Sequence, residues 1–571
     1  MTASHVSLNR AEPRTSIAPG SHHTAVKHFK SPKEYAFTRD QRAHTTILFG
    51  GLTWNHERLI KGTWEGLGYK CDVLPCPDVA AFQLGKEYGN NGQCNPTYFT
   101  VGNLVQYLHA LEDKGMTRDE ICDNYIYITA GACGPCRFGM YEAEYRLALR
   151  NAGFERFRVM LFQQGAGLDQ ADLEAGLEMN LDFFLGLLNA MNIGDMLNEL
   201  GYMIRPYEVE AGKTDEIAEQ AREYLAEVLK TEDHRGVTGP LRRGLDAMGL
   251  TRRADYFAKF GRQLSSDYYT NALKEVRDKY ATVEVDRFRV KPIVKITGEF
   301  WAQTTEGAGN FHMFPFLERE GAEVIVEPIG TWIMYMIHQV KQKLRDRRQL
   351  NDGADEAPRW WRLDQLVRRE MNARSRIARM TVAERIFKRE YERLQYALGG
   401  GNLHELVCQY HLQRVGHPYY NSRAGGGEGH LEVAKNIYYS NKGLCHMVLS
   451  VKPFGCMPST QSDGAQAAVT EHYKDIIYLP IETSGEGEIN AHSRVQMALG
   501  NARIKAREEF KNALATTGRT LEELRSYVDD NPELKNPIYV VPRMNGVVGG
   551  AANFVLHVAA RMDEASIRRV A

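Results

Sequence analysis

Cys133 and Cys136 stand three residues apart in Ala132-Cys-Gly-Pro-Cys-Arg-Phe-Gly. Two thiols at this spacing support dithiol–disulfide exchange or ligation of zinc or iron–sulfur, or they are ordinary buried cysteines. The residues before them, Tyr125-Ile-Tyr-Ile-Thr, form a β-branched and aromatic run that predicts a buried strand. After Gly139, the residues Tyr141, Tyr145, Ala148 and Leu149 recur at helical spacing. The thiols therefore fall between the carboxyl end of a strand and the start of a helix. There the helix macrodipole and free N–H groups lower a thiol pKa, and in an open α/β sheet ligands bind at that end of the strands.

The elements that position this pair recur along the chain. A first lobe, residues 44–165, opens with a strand and turn at Thr45-Thr-Ile-Leu-Phe-Gly-Gly, followed by a helix from His56 to Leu67 and a strand from Lys70 to Cys76. Gly89-Asn-Asn-Gly-Gln-Cys-Asn-Pro reads as a loop, with Pro96 suited to a helix start before Tyr98–Leu111. Arg156-Phe-Arg-Val-Met-Leu-Phe is the fourth strand. A second lobe, residues 290–333 and 440–520, repeats the order, with strands at Pro292-Ile-Val-Lys-Ile-Thr, Val324-Ile-Val, His446-Met-Val-Leu-Ser-Val and Ile476-Ile-Tyr-Leu-Pro-Ile. Strands alternating with helices predict an α/β fold of two similar lobes, each a parallel four-stranded sheet flanked by helices. A helical linker region (166–289), a helical insertion (334–439) and a C-terminal segment (521–571) complete the division, behind an N-terminal arm (1–43).

Within the insertion, residues 341–393 carry sixteen Lys/Arg against nine Asp/Glu. A solvated helix face explains this excess, and so does a docking surface for an acidic partner. Residues 425–429, Gly-Gly-Gly-Glu-Gly, read as a flexible loop. Gly212-Lys213-Thr214 resembles the end of a phosphate loop, but Tyr207 stands where that motif needs glycine, so no nucleotide site is expected there.

The net charge is −1 and 25% of the residues are charged. This gives no overall basic excess, and no nucleic-acid partner is expected. There is no apolar run of about 18 residues, so no membrane span is expected. The polar first 43 residues lack the apolar centre of a signal peptide, and a cytoplasmic location is expected.

Nine cysteines in such a chain do not suggest a disulfide framework. If both sheets are parallel, Cys71, Cys122 and Cys445 lie at the amino ends of strands and read as core or surface thiols. Cys94, Cys133, Cys136 and Cys456 lie in loops at the carboxyl ends. Cys76 closes the second strand at that end, and Cys408 lies between the second and third strands of lobe two, as Cys94 does in lobe one. Up to six thiols could thus meet in one cleft between the lobes. Thiolates scattered singly over loops suit an iron–sulfur cluster better than a structural zinc site, which draws on two close-spaced pairs, or a lone redox dithiol.

Gly92-Gln-Cys-Asn-Pro, Ala132-Cys-Gly-Pro-Cys-Arg-Phe-Gly, Gly298-Glu-Phe-Trp, Gly426-Gly-Glu-Gly and Pro453-Phe-Gly-Cys-Met-Pro together resemble the 2-hydroxyacyl-CoA dehydratase and benzoyl-CoA reductase superfamily. Within it, the dehydratase-activase-related and double-cubane cluster proteins look most similar. The resemblance runs in order over about residues 45–515. It implies an iron–sulfur cluster between the lobes, either [4Fe-4S] or a double-cubane [8Fe-9S]. Cys94, Cys133 or Cys136, and Cys456 match the family's ligand positions; Cys408 is a further candidate and Cys76 an uncertain sixth. It also implies a separate ATP-hydrolysing iron–sulfur activator of the actin-like ATPase type, a small-molecule substrate, an oligomer, and chemistry sensitive to oxygen. Glu299, at the end of the first strand of lobe two, is the candidate catalytic proton donor, with a helix N-cap role equally open. Arg137 and Lys452 could offset cluster charge or form ordinary ion pairs. A thiol–disulfide redox protein using Cys133 and Cys136, or a scaffold that carries a cluster only for stability, are the alternative readings.

Overall fold

The computed structural model describes residues 37–131, 136–163, 176–232, 240–248, 251–347, 361 and 363–570. Cys133 and all but the last seven residues of the expected arm lie outside them. Of those seven, Phe37 is fully buried, and its carbonyl accepts from Gly176 N at 3.0 Å, which ties this stretch to the region expected as a linker.

Among the described residues, eight strands form two sheets. β1 (Thr46–Phe49), β2 (Lys70–Val73), β3 (Tyr125–Gly131) and β4 (Arg158–Gln163) pair in the order β2-β1-β3-β4. β5 (Ile293–Gly298), β6 (Glu323–Ile325), β7 (Met447–Pro453) and β8 (Tyr478–Thr483) pair in the order β6-β5-β7-β8. Every pairing is parallel. The expected two parallel four-stranded sheets flanked by helices are therefore present, and they share one strand order.

Parallel strands joined by crossover helices are covered on both faces, so their residues must be apolar on both sides. In the first sheet, Ile47, Phe49, Cys71, Ile126 and Ile128 enter one core, while Leu48, Tyr127 and Val159 enter the other. In the second, Val294, Ile296, Leu449 and Val451 face one core and Ile293 and Val448 the opposite one. Burying each such side chain is worth about 1.5–3 kcal/mol. This explains why these runs read as strands from sequence alone.

The region expected as a linker is part of that covering. Helices Leu181–Ile204 and Lys213–Lys230 pack on helix Trp54–Gly66. The approach is close enough that a Cβ on Gly62 or Gly66 would lie 2.4 Å from Ala226 O or Lys230 O. At the start of Lys213–Lys230, the Glu208 carboxylate accepts from Gly212 N and Thr214 N at 2.7 and 2.8 Å, so the chain's own acid fills that helix terminus. The basic insertion is mostly helix, including a 37-residue segment, Leu363–Gly399. Among the described residues no helix is long and apolar enough to cross a membrane.

In each sheet the strand order reverses between the first and third strands. The crevice beyond the carboxyl ends at such a switch point is where this architecture binds ligands. Here the two carboxyl edges face each other. Asn95 N donates to Phe454 O at 3.1 Å and Asn95 Nδ2 to Thr483 O at 2.6 Å. Arg137 Nη1 donates to Gly455 O. Phe82, Phe99 and Trp301 stack across the same junction.

Candidate functional site

The cysteines at the carboxyl edge share one structural role. Cys94 is the N-cap of helix Asn95–Asp113, Cys136 of the short helix Arg137–Met140, Cys408 of Gln409–Gly416 and Cys456 of Met457–His472. Pro96 and Pro458 occupy the first turns that follow, where a missing N–H costs nothing.

The loops that carry Cys94, Cys136 and Cys456 adjoin one another across the two lobes. A Cβ at Gly455, next to Cys456, would lie 3.3 Å from Cys94 Cα and 3.1 Å from Gln93 O. Gly455 has φ +78°, which only glycine adopts freely, so the turn can press against the Cys94 loop. On the other side, a Cβ at Gly427 would lie 3.7 Å from Cys136 Cβ and 2.4 Å from Pro458. Cys94 Sγ lies 3.1 Å from Tyr141 OH and 3.2 Å from Thr97 Oγ1.

Carboxyls from lobe two and from the end of the insertion lie beside these loops. Glu299 caps helix Phe300–Thr304, accepting from Ala302 N at 3.0 Å. Burial nevertheless lifts its pKa to about 7, with the charge of Glu432 adding to the rise. The capping role and a proton-holding role are therefore compatible in one side chain. Glu428 accepts from Trp332 Nε1 at 3.2 Å; burial, then Glu299 and Glu432, raise it to about 8. Glu432 itself accepts from Ser459 Oγ at 2.6 Å and from Ser462 Oγ, and lies 3.7 Å from Lys452 Nζ.

The thiols behave differently from the expectation of a lowered pKa at a helix start. Burial, reinforced by Glu428, pushes Cys136 up to about 12. Burial, with Glu299 and Glu432, pushes Cys456 up strongly. One helix terminus supplies only a partial charge, and here desolvation and nearby acids outweigh it.

The remaining candidates lie elsewhere. Cys408 is solvent-exposed, and the structure does not place it with the other three. Cys76 donates to Glu306 O at 2.5 Å beside Gly307, at a separate point of the lobe junction. Cys71, Cys122 and Cys445 are buried, and burial raises each of their thiols. Lys452 pairs with Glu432 and Asp463 and so belongs to an ion-pair network, whereas Arg137 binds the Gly455 carbonyl. Among the described residues, no group of three or more His, Cys, Asp or Glu side chains is gathered to hold a single metal ion.

Glu428 was not singled out from the sequence, because its glycine-rich surroundings read as a flexible loop. That reading is corrected here. Gly427 has φ +107° and packs on Pro458, and a Cβ at Gly429 would lie 2.6 Å from Tyr420 OH. These glycines permit close packing, and one ionisable residue inside such a run was the available signal. No protein-family model and no curated protein matches the chain.

Proposed function

We propose that this protein is an iron–sulfur component of the reductase or 2-hydroxyacyl-CoA dehydratase type. It accepts low-potential electrons from a separate ATP-hydrolysing iron–sulfur activator and reduces a small substrate in the cleft between its lobes. The observation that supports this reading is that the loops bearing Cys94, Cys136 and Cys456 adjoin one another where the carboxyl edges of the two sheets face each other.

Dispersed cysteines, each at a helix start in a buried site, suit a [4Fe-4S] cluster in kind; a double cubane would also have to recruit Cys76 and Cys408, which lie apart from the other three. Cys94, Cys456 and Cys133 or Cys136 would hold it, and when bound it supplies one-electron chemistry. Glu299 and Glu428, buried and with raised pKa values, keep protons near neutral pH and can deliver them to a substrate being reduced. Tyr141 orients the Cys94 sulfur.

The test is anaerobic reconstitution followed by iron and sulfide counting and mapping of the cysteines protected from alkylation. About four irons with three protected thiols are expected for one cubane, or about eight with six for two. Cys94→Ser and Cys456→Ser should lose most of the iron, while Cys445→Ser should keep it. A colourless chain that retains no iron, or equal loading of Cys456→Ser and Cys445→Ser, refutes the proposal.

A further inference from the structure

The long helix of the basic insertion, Leu363–Gly399, is anchored at its carboxyl-terminal end. There Glu390, Tyr391, Leu394, Ala397 and Leu398 are buried, and the helix packs on Tyr268–Tyr280 and Ile329–Asp346. The stretch before that anchor, from Val367 to Arg389, spans about 33 Å at about 1.5 Å per residue and presents an open face.

Unpaired charge is the first mark of that face. Arg368, Arg376, Arg379, Arg385 and Arg389 are exposed and make no ion pair among the described residues. The helix's own glutamates are taken: Glu370 by Arg374, Glu384 by Lys341, Glu390 by Arg393 and Glu392 by Lys388. Arg376 and Arg379 stand three residues apart, and Arg385 and Arg389 four, at spacings where like charges destabilise a helix. A face that only has to stay solvated mixes the two signs.

An apolar seam is the second mark. Val367, Met371, Ser375, Ala378 and Val382 follow one another at steps of four, four, three and four, which sets them in one line along the helix. Val367, Met371 and Val382 are 56, 64 and 53% exposed. Arg385 and Arg389 continue the line, while Arg368 stands three residues before Met371 and Arg379 three before Val382, so both border it.

A narrow seam edged by charge is what one helix offers another. The phosphates of a nucleic acid would engage the guanidiniums but gain nothing from Met371 and Val382. A bilayer surface calls for a broader apolar face with aromatic side chains, which this seam lacks. Guanidinium forks match carboxylates. We propose that this face docks an acidic amphipathic helix of a partner protein. The partner's apolar stripe covers Val367, Met371, Ala378 and Val382, and its Asp or Glu side chains pair with the five free arginines. The inference is independent of the cysteine cleft.

The test uses the full chain and a labelled synthetic peptide of three heptads, with Leu at a and d and with Glu at e and g, where the acids also keep it from pairing with itself. Fluorescence anisotropy should show saturable binding. Arg379→Glu with Arg385→Glu should weaken it at least tenfold, as should Met371→Asp with Val382→Asp. Arg507→Glu with Lys511→Glu, on a different helix, should leave it unchanged. All six side chains are exposed, and circular dichroism checks that each variant keeps its helix. A scrambled peptide of the same composition should bind at least tenfold more weakly. No saturable binding, equal binding of the scrambled peptide, or binding that survives either the Arg379/Arg385 or the Met371/Val382 pair of substitutions overturns the proposal. So does duplex RNA or a phosphatidylglycerol vesicle that binds more tightly than the peptide and is lost in the Arg379/Arg385 variant.

Discussion

Glu57→Gln isolates the effect of one buried acid on stability. Glu57 Oε1 accepts from both Gly51 N and Leu52 N, at 2.8 and 3.1 Å, in the turn that follows β1. Burial raises its pKa to about 8, against the lowering effect of those two N–H groups. The folded chain thus keeps a proton that the unfolded chain sheds near the ordinary value of 4.5. Unfolding releases that proton, so stability is fully present below about pH 4.5 and falls as pH rises towards about 8. Between about pH 5 and pH 8 this loss amounts to about 2–4 kcal/mol, at about 1.36 kcal/mol per pH unit. Glutamine keeps the accepting oxygen and cannot ionise. Glu299 and Glu428 titrate in both proteins and cancel from the comparison. Urea unfolding of the two proteins, measured across that pH range under reducing conditions, should show the variant gaining about 2–4 kcal/mol on the parent between the two ends. Parallel pH profiles would refute the reasoning, because they would mean that Glu57 is no harder to ionise in the fold than in the open chain.

Two further substitutions address the framework. Gly455→Ala forces a side chain into φ +78° and sets a Cβ 3.1 Å from Gln93 O, so it should cost about 1–2 kcal/mol in backbone strain and lower iron retention after reconstitution; melting temperature and iron content read both effects. Lys295→Met leaves the buried Glu327 without the ammonium 2.8 Å away that, with Lys435, holds its pKa down at about 2 against burial. The variant should lose about 3–5 kcal/mol of stability, and adding Glu327→Leu should restore much of it, as denaturant titration would show.

How much of the site was legible depends on what topology alone dictates. The strands could be read because a parallel sheet covered on both faces demands apolar residues at successive positions, as in Ile126, Tyr127 and Ile128. The cysteine ends followed, since every strand of a parallel sheet points the same way. The close packing of Gly62 and Gly427 could not be read, because a glycine in sequence looks the same whether it frees a loop or admits a neighbour.

The choice of Cys408 as the counterpart of Cys94 went astray for a related reason. Both follow the second strand of their lobe, but what fixes a residue at the carboxyl edge is the helix that leads back into the third strand. In lobe one, Cys94 begins the long helix of that return. In lobe two the insertion adds helices, Gln409–Gly416 among them, and the last one before β7 is Gly429–Asn441, whose N-cap is Glu428. Matched by order of elements, the helix starts pair as Thr53 with Glu299 and Cys136 with Cys456; on the return to the third strand, Cys94 and Glu428 each start a helix, with the short helix Arg118–Asn124 following in lobe one. The lobes thus repeat a scaffold but divide the chemistry. One edge contributes mainly sulfur and the other mainly carboxyl groups, and only the β3 and β7 turns carry a thiol in both. That division sets buried thiols and carboxyls with raised pKa values side by side at one junction.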